Sequence, residues 1–327
     1  MDKRAKDAFN DQILEESIRR YGVEKEKVRN LGGFESFVYE YEKDNKSYIL
    51  RISHSSHRSS DHIHGEIEWV NDLAANKVSV SKAIPSDEGR LVETISADGS
   101  CFSAVSFEKA AGRPPGKEDW NEDLFRQMGR MTGKMHTLAK RYQPSRPQYR
   151  RPKWDDEMEA FGEKFLDFVA PEVVAKYKEL QGYPRQFSKE TSEYGLIHAD
   201  FHRGNFFVKD GVITLFDFDD SQYSWLAEDI AMALFYAISP DCRKRKELEF
   251  ARCFYDCFME GYSQENVVAH KWLQEIPYFM KKREIEVYLA VKGSISSEDE
   301  LAGWAKDFMK DRQYKIVNDM PYVDMLF

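Results

Sequence analysis

Several features that would assign a function at once are missing from this sequence. Its four cysteines form no C-x-x-C pair, which argues against a zinc ribbon and is typical of proteins from a reducing compartment. No stretch approaches the roughly 18 apolar residues of a membrane-spanning helix. Acidic side chains outnumber basic ones by 57 to 48, so the net charge is −9. A nucleic-acid-binding surface needs a basic stripe and is therefore not expected.

The composition that remains is that of an ordinary globular protein. Hydrophobic residues make up 42% and charged residues 32% of the 327 positions, which is too apolar for a disordered chain. The first residues, MDKRAKDAFNDQ, lack the apolar core of a secretory signal. We therefore expect a cytoplasmic protein of about two domains, or one domain with two lobes, and neither a membrane nor a nucleic acid as partner.

The first third of the chain alternates between helical and strand-like patterns. Apolar spacing predicts an amphipathic helix over residues 5–20. Residues 31–53 hold aromatic and β-branched residues on both sides of a polar turn at 43–46, which predicts a β-hairpin. A stripe with steps of three and four predicts a helix from Asp61 to Asn76, with Asp61 as its N-cap. Short strand-like runs follow this helix.

The rest of the chain is mostly helical in pattern. A segment with two glycines and two prolines, EKAAGRPPGKED, predicts a linker at residues 108–119. Helical patterns then continue to the C-terminus, with one β-like interruption at residues 195–221. We predict an N-terminal lobe of residues 1–110, built from a sheet and a helix, and a helical C-terminal lobe of residues 111–327.

The β-like interruption concentrates the polar residues of interest. Asp210-Gly211 is a strong tight-turn dipeptide between two short apolar runs. Antiparallel pairing around this turn brings the residue before the first strand beside the residue after the second. We therefore expect Asn205 and Asp217 to lie side by side at the open end of a hairpin, with Asp200 one loop away.

These three side chains suit phosphoryl transfer. The amide oxygen of Asn205 and the carboxylate of Asp217 are ligands for a hard cation such as Mg²⁺. A second carboxylate, that of Asp200, can accept or orient the proton of a hydroxyl group. Together they form the set of groups that transfers a phosphoryl group from a nucleotide.

Two other enzyme classes have motifs that match the same residues. A strand that runs into D-x-D, with Asp217 as nucleophile and Asp219 as acid/base, also begins the haloacid-dehalogenase phosphatases, but that fold needs further parallel strands where this chain is helical in pattern. The segment H-A-D-F-H would suit a zinc hydrolase, yet His270 is the only histidine that follows it. Both remain as alternatives.

A group of four histidines follows the predicted hairpin of residues 31–53. They are His54, His57, His62 and His64. Four histidines could bind a metal, but a solvated polar loop among serine and arginine neighbours is the simpler interpretation.

Two of these segments resemble those of a known family. HADFHRGN (198–205) and LFDFDD (215–220) are similar to the catalytic and metal-binding loops of the aminoglycoside phosphotransferases, a kinase-like family that includes choline kinases. Most of the chain matches in order: GGFESFVYEY resembles the nucleotide-covering loop, YILRIS the third strand, HGEIEW the helix with an acidic partner, SFEKAAGR the hinge and WLAEDIAMA the segment after the metal loop.

The resemblance implies an α+β class with a bilobal, protein-kinase-like fold and ATP between the lobes. Asp200 would be the catalytic base or the residue that orients the acceptor hydroxyl. Asn205 and Asp217 would hold Mg²⁺, and Asp219 would have a supporting or second-metal role.

The resemblance also implies a nucleotide site in the N-terminal lobe. Arg51 stands where kinases usually have lysine, and Glu66 lies at the edge of a helical stripe from which it can pair with Arg51. An arginine fork can bridge a carboxylate and phosphates. The remaining positions implied are two in the loop over the phosphates and two in the hinge that binds adenine: Gly32, Gly33, Phe107 and Glu108.

We therefore predict an ATP- and Mg-dependent phosphotransferase that moves the γ-phosphate to a hydroxyl of a small molecule. A catalytically silent ATP-binding scaffold and a Ser/Thr protein kinase of the same fold are the alternatives. Retention of Asp200, Asn205 and Asp217 opposes the first, and the absence of a long activation loop between LFDFDD and WLAEDIAMA opposes the second. No motif identifies the acceptor.

Overall fold

The chain divides into two units. The structure is a computed structural model that describes residues 3–97, 99–238, 247–295 and 297–325. Unit 1 comprises residues 1–113, 142–151 and 206–219, and unit 2 comprises residues 114–141, 152–205 and 220–327. The lobe boundary at residue 110 remains a prediction.

Unit 1 contains a six-stranded antiparallel sheet. Its spatial order is β1-β2-β3-β6-β4, and β5 pairs with β6. The antiparallel sheet expected for the N-terminal region is thereby confirmed. The strands are β1 (Val28–Gly32), β2 (Phe37–Lys43), β3 (Lys46–His54), β4 (Ala83–Ile84), β5 (Glu93–Ala97) and β6 (Ser100–Glu108).

The predicted hairpin is formed by β2 and β3. Lys43 pairs with Lys46, and the two residues between them, Asp44 and Asn45, both have positive φ (53° and 59°). This is the backbone of a type I′ turn, which Asp and Asn adopt more easily than other residues with a side chain. The local turn chemistry therefore sets the register of β2 against β3, the strand that carries Arg51.

Three helices belong to unit 1: α1 (Lys3–Ala8), α2 (Asp11–Arg20) and α3 (Ser60–Ala75). The prediction of a single helix over residues 5–20 was wrong, because the helix is interrupted between α1 and α2. Asn10 caps α2 by accepting a hydrogen bond from Ile13 N (3.1 Å). The predicted cap of α3 was also wrong. Ser59 accepts from His62 N (3.2 Å), and Asp61 lies within the first turn.

The predicted second hairpin is also present. It consists of β8 (Phe206–Lys209) and β9 (Val212–Leu215), with Phe206 opposite Leu215. Asp210 and Gly211 form its turn, with φ of 51° and 75°. Although we expected this hairpin in the C-terminal lobe, it groups with unit 1, because its backbone bridges to Val80 and Arg113.

Unit 2 is mostly helical and contains one short two-stranded sheet, in which β7 (Tyr194–Ile197) pairs antiparallel with β10 (Gln222–Trp225). Its helices are α4 (Glu122–Ala139), α5 (Trp154–Phe165), α6 (Pro171–Gly182), α7 (Leu226–Ala237), α8 (Glu247–Tyr262), α9 (His270–Leu273), α10 (Ile276–Ser294), α11 (Gly303–Met309) and α12 (Arg312–Val317). None of the helices in the described ranges has both the length and the apolar character needed to cross a membrane.

Helix α7 runs through the interior of unit 2, since almost all of its residues are buried. Two of the buried residues are acidic, Glu228 and Asp229, each about 1% exposed. Buried carboxylates are costly unless they are paired. Each of these has a partner: Lys282 lies 2.7 Å from Glu228, and His136 lies 3.1 Å from Asp229.

Candidate active site

The predicted pair of Arg51 and Glu66 is present in unit 1. Arg51 on β3 donates from Nη2 to Oε2 of Glu66 on α3 over 2.6 Å, and the side chains are only 9% and 1% exposed. Burial opposes the charge of Arg51, but the carboxylates of Glu66 and Asp219 outweigh it and raise the pKa of Arg51. Arg51 is therefore a fixed cation in the interior of unit 1.

Asp219 is the second carboxylate near Arg51. Its Oδ1 lies 3.9 Å from Nη1 of Arg51, and its Oδ2 lies 2.5 Å from Nε2 of His57 and 3.8 Å from Nε of Arg58. Burial would raise the pKa of Asp219, yet the hydrogen bond with His57 and the charges of Arg58 and Arg51 hold it well below its ordinary value. The carboxylate is thus ionised in a strongly cationic setting.

Asp217 differs from Asp219 in its solvent exposure and in its backbone conformation. It is exposed and has φ of 64°, whereas the next residue, Phe218, is 2% exposed. The left-handed backbone at Asp217 lets the chain bury Phe218 while a carboxylate stays at the surface of unit 1. Its charge contributes to the raised pKa of Arg51, so Asp217 lies within electrostatic range of the same arginine.

These oxygens fit a hard cation. Oδ1 of Asp219 is buried and has no hydrogen-bond donor among the described residues, and Asp217 offers an exposed carboxylate. Within the part of the chain that the structure describes, no three His, Cys, Asp or Glu side chains come together as a metal site. The four-histidine site is therefore not found there. One of those histidines, His57, instead contacts Asp219.

The turn after β1 is the predicted phosphate loop. Gly33 has φ of 144°, and a Cβ at this position would lie 1.9 Å from the carbonyl oxygen of Ser36, so only glycine fits. Gly32 N donates to Asn30 Oδ1 over 2.6 Å. The loop exposes Phe34 to 68%. Its role over a nucleotide remains a prediction, but its geometry requires the second glycine.

The two predicted hinge residues occupy the end of β6. The guanidinium carbon of Arg51 lies 5.2 Å from the ring centroid of Phe107. Glu108 N already donates to Lys82 O over 3.0 Å, and its carboxylate pairs with Lys82 Nζ at 3.2 Å. The N–H of Glu108 is therefore already occupied by Lys82 O, and a role of Phe107 or Glu108 in adenine binding stays a prediction.

In unit 2, the loop after β7 is held by Asp229. The carboxylate of Asp229 accepts hydrogen bonds from His198 N (3.0 Å) and Ala199 N (2.7 Å) and lies 3.1 Å from Nε2 of His136. Ala199 has φ of 67°, a conformation that a residue with a side chain adopts only under constraint. The buried carboxylate thus fixes the strained backbone that presents Asp200.

His198 has a structural part in this loop. It is 1% exposed, and its Nδ1 accepts a hydrogen bond from Asp200 N over 3.2 Å. His202 lies on the other side, with Nε2 at 3.2 Å from Oδ2 of Asp200. The two histidines therefore hold the backbone and the side chain of Asp200, respectively.

Asp200 and Asn205 lie together within unit 2. Nδ2 of Asn205 donates to the backbone oxygen of Asp200 (3.0 Å) and to its Oδ2 (2.9 Å). Because both amide hydrogens are used, Oδ1 of Asn205 remains as an acceptor, which suits a cation ligand. Asn205 directly precedes β8, and Asp217 is the second residue after β9. That their side chains lie side by side remains a prediction.

Sequence reasoning missed Arg283. This residue of α10 donates from Nη2 to Oδ1 of Asp200 over 2.6 Å. Burial would raise the pKa of Asp200, but the charge of Arg283 and the hydrogen bond with His202 hold it well below its ordinary value. Arg283 and Asp200 are 83 positions apart, and no motif connects them.

The contact of His57 with Asp219 was missed in the same way. These residues are 162 positions apart. His57 lies in the histidine-rich segment that we interpreted as a polar loop. No sequence pattern relates this segment to the predicted metal loop at residues 215–220.

Comparisons with known proteins identify the family and the fold. Residues 27–262 match the phosphotransferase enzyme family, APH. An amicoumacin kinase of Bacillus subtilis (strain 168) is 40% identical over 280 residues, which cover 85% of this chain and 83% of that protein. The structure of amicoumacin kinase hAmiN in complex with AMP-PNP, Ca²⁺ and Ami is 32% identical, with a TM-score of 0.92 over 100% of this chain and 98% of that chain.

A more distant structure shares the fold alone. The choline kinase LicA from Streptococcus pneumoniae is 16% identical, with a TM-score of 0.60 over 94% of this chain and 97% of that chain. All three sheets in the described residues are antiparallel, so the haloacid-dehalogenase alternative is wrong. The bilobal, protein-kinase-like α+β fold is confirmed.

The predicted activity is confirmed at the level of reaction class. The family match and the identity with a small-molecule kinase make this protein an ATP-dependent phosphotransferase with an alcohol group of a small molecule as acceptor. The chain belongs to the phosphotransferase enzyme family.

Proposed function

We propose that this enzyme transfers the γ-phosphate of ATP to a hydroxyl group of amicoumacin or of a compound that closely resembles it. The observation that carries the proposal is the 40% identity with an amicoumacin kinase over 85% of the chain. The high TM-score of 0.92 with a second amicoumacin kinase supports it. We place the reaction in the cytoplasm, where ATP is available, with no nucleic acid or membrane as partner.

In this proposal Asp200 acts on the acceptor. Its ionised carboxylate accepts a hydrogen bond from the acceptor hydroxyl and aligns the oxygen for in-line attack on the γ-phosphorus. The new O–P bond forms as the bond to the β,γ-bridging oxygen breaks, and the hydroxyl proton leaves toward the carboxylate. The loop that Asp229 fixes holds this carboxylate in place before the substrate arrives, which avoids reorganisation during the reaction.

Three side chains are proposed as the cation ligands. Asn205 and Asp217 would hold Mg²⁺, and Asp219 would support it, since all three offer oxygen atoms that suit a hard cation. Such a cation neutralises charge that develops on the phosphate oxygens. Asp219 is kept ionised by His57, Arg58 and Arg51.

The nucleotide is proposed to lie against unit 1. Arg51, which is fixed by Glu66, would contact the phosphates as the lysine of other kinases does. The backbone around Gly32 and Gly33 would cover the triphosphate, and the end of β6 at Phe107 and Glu108 would line the adenine site.

An acceptor assay tests the proposed substrate. The purified chain is incubated with ATP and Mg²⁺ and with amicoumacin, spectinomycin or choline, and products are detected by mass spectrometry. We expect a single added phosphoryl group on amicoumacin and none on the other two. Phosphorylation of spectinomycin or choline alone would overturn the proposed acceptor and leave the enzyme class unchanged.

The proposed role of Arg51 makes a second prediction. Arg51→Met should raise the KM for ATP by about tenfold or more, because one charge-assisted contact to a phosphate is lost. Glu66→Gln should raise it less, since Arg51 keeps Asp219 as a partner. Steady-state kinetics with ATP as the varied substrate measures both.

A matched control exists in the same unit. Arg90 pairs with buried Glu93 at 2.7 Å but lies outside the proposed site. Arg90→Met should leave the KM for ATP unchanged. Equal KM values for Arg51→Met and Arg90→Met would remove Arg51 from the nucleotide site.

A further inference from the structure

Helix α10 brings an arginine to the proposed catalytic carboxylate. Nη2 of Arg283 lies 2.6 Å from Oδ1 of Asp200, and the two side chains are 18% and 16% exposed. An exposed ion pair contributes little to stability, but this pair is largely shielded from water. The pair also involves Asp200, and the proposed reaction depends on the orientation of the Asp200 carboxylate.

The hydrogen bonds of Asp200 leave one clear position for a substrate hydroxyl. Each carboxylate oxygen offers about two acceptor positions. Oδ2 already contacts Asn205 Nδ2 at 2.9 Å and His202 Nε2 at 3.2 Å. Oδ1 contacts only Arg283 among the described residues. The acceptor hydroxyl is therefore expected at the second acceptor position of Oδ1, beside the guanidinium group.

Arg283 is itself held in place by neighbours. Its Nε and Nη2 both donate to the hydroxyl of Tyr236 on α7, over 3.0 and 2.6 Å. Its Nη1 lies 3.7 Å from Oε2 of Glu286. Glu286 is in turn paired with buried Lys282 at 2.8 Å. Few orientations of the guanidinium group satisfy all these contacts, so its position before substrate binding is defined.

We propose that Arg283 is a positioning residue for phosphoryl transfer, which fixes the plane of the Asp200 carboxylate and directs Oδ1 toward the acceptor hydroxyl. The inference rests on the proposed role of Asp200. Without Arg283, Oδ1 keeps no contact with the described residues, and the carboxylate can rotate about its Cβ–Cγ bond. A displacement of about 1 Å in a reacting group can cost about 100-fold in rate.

Two variants of Arg283 separate this role from a general loss of charge. Arg283→Met keeps much of the side-chain length and removes every donor. We expect kcat to fall about 100-fold, with the KM for ATP within about twofold of the starting enzyme. Arg283→Lys keeps one charged group that can donate to Oδ1 of Asp200, but it loses the two-fold contact with the Tyr236 hydroxyl. Its kcat should therefore lie between those of Arg283→Met and the starting enzyme.

Tyr236→Phe tests the support of the arginine. It removes the hydroxyl that receives two hydrogen bonds from Arg283 and leaves every charge in place. We expect a smaller decrease in kcat, about three- to tenfold, again with little change in the KM for ATP.

Lys281 provides a matched control on the same helix. It is also cationic and shielded, at 13% exposure, and it pairs with Glu284 at 2.9 Å, but it does not contact Asp200. Lys281→Met should leave kcat unchanged at a temperature at which the thermal melt shows it folded. If Arg283→Met and Lys281→Met lowered Tm equally and neither changed kcat, Arg283 would be structural.

Other outcomes would also overturn the inference. A higher KM for the acceptor at unchanged kcat would make Arg283 a binding residue for the acceptor. Asp200→Asn is measured in parallel so that the two proposals can be told apart. If Asp200→Asn turned over normally, the proposed function of Asp200 would fail; if it were inactive while Arg283→Met kept full kcat, only the positioning role would fail.

Discussion

Asp200→Asn is expected to lower kcat by about 10³-fold while ATP still binds, because removal of a group that accepts or orients a proton typically costs 10²–10⁴-fold. The substitution keeps the size of the side chain and an oxygen that can accept from Arg283. It removes the negative charge that orders the acceptor hydroxyl. Since Asp200 is not proposed to contact the nucleotide, the dissociation constant for ATP should change little.

The measurement combines steady-state kinetics with nucleotide titration of the same preparation. Asp210→Asn is the matched control, because it makes the same chemical change at the exposed turn between β8 and β9, where Asn also tolerates the positive φ of 51°. It should retain full activity. Turnover within tenfold of the unmodified chain would contradict the assignment of Asp200.

Asp217→Asn is expected to abolish the effect of Mg²⁺ on nucleotide binding. The affinity for ATP with Mg²⁺ present should fall by about tenfold or more, since loss of a carboxylate ligand weakens a hard-cation site. Asn is preferable to Ala because residue 217 has φ of 64°, which Asn adopts with little strain. Loss of binding would then report the carboxylate and not the backbone.

The measurement is ATP titration with Mg²⁺ and with a chelator. For the unmodified chain the two affinities should differ clearly; for Asp217→Asn they should be nearly equal. Asp44→Asn is the control, since it changes another aspartate with positive φ (53°) in the turn between β2 and β3. A Mg²⁺ effect that survives in Asp217→Asn would remove Asp217 from the cation site.

Local patterns predicted the elements that short-range chemistry controls. Both hairpins formed where the sequence placed them, because Asp44-Asn45 and Asp210-Gly211 adopt the positive φ that a type I′ turn needs. The pairing of Arg51 with Glu66 also followed from local facts. A charge in an apolar strand needs a partner, and Glu66 lay at the edge of a helical stripe that had to face the sheet.

Local patterns failed where two nearby polar residues competed for the same role. Ser59 and Asp61 can both cap a helix, and the choice between them depends on where the preceding strand ends.

Local patterns also failed at Asn10. It lies within a continuous amphipathic pattern, yet its side chain accepts a hydrogen bond from Ile13 N and divides the predicted helix in two. Apolar periodicity does not register such a side-chain hydrogen bond to the backbone.

By itself, the sequence determined the reaction class and predicted both hairpins, of which the second follows Asn205 directly. A shared cation site of Asn205 and Asp217 remains a proposal. The tertiary structure alone decided which residues hold those groups in place. Arg283 reaches Asp200 from 83 positions away, His57 reaches Asp219 from 162, and Asp229 fixes the backbone at Ala199. Burial of the helices and the sheet brings these residues together, and no periodicity along the chain encodes contacts at such separations.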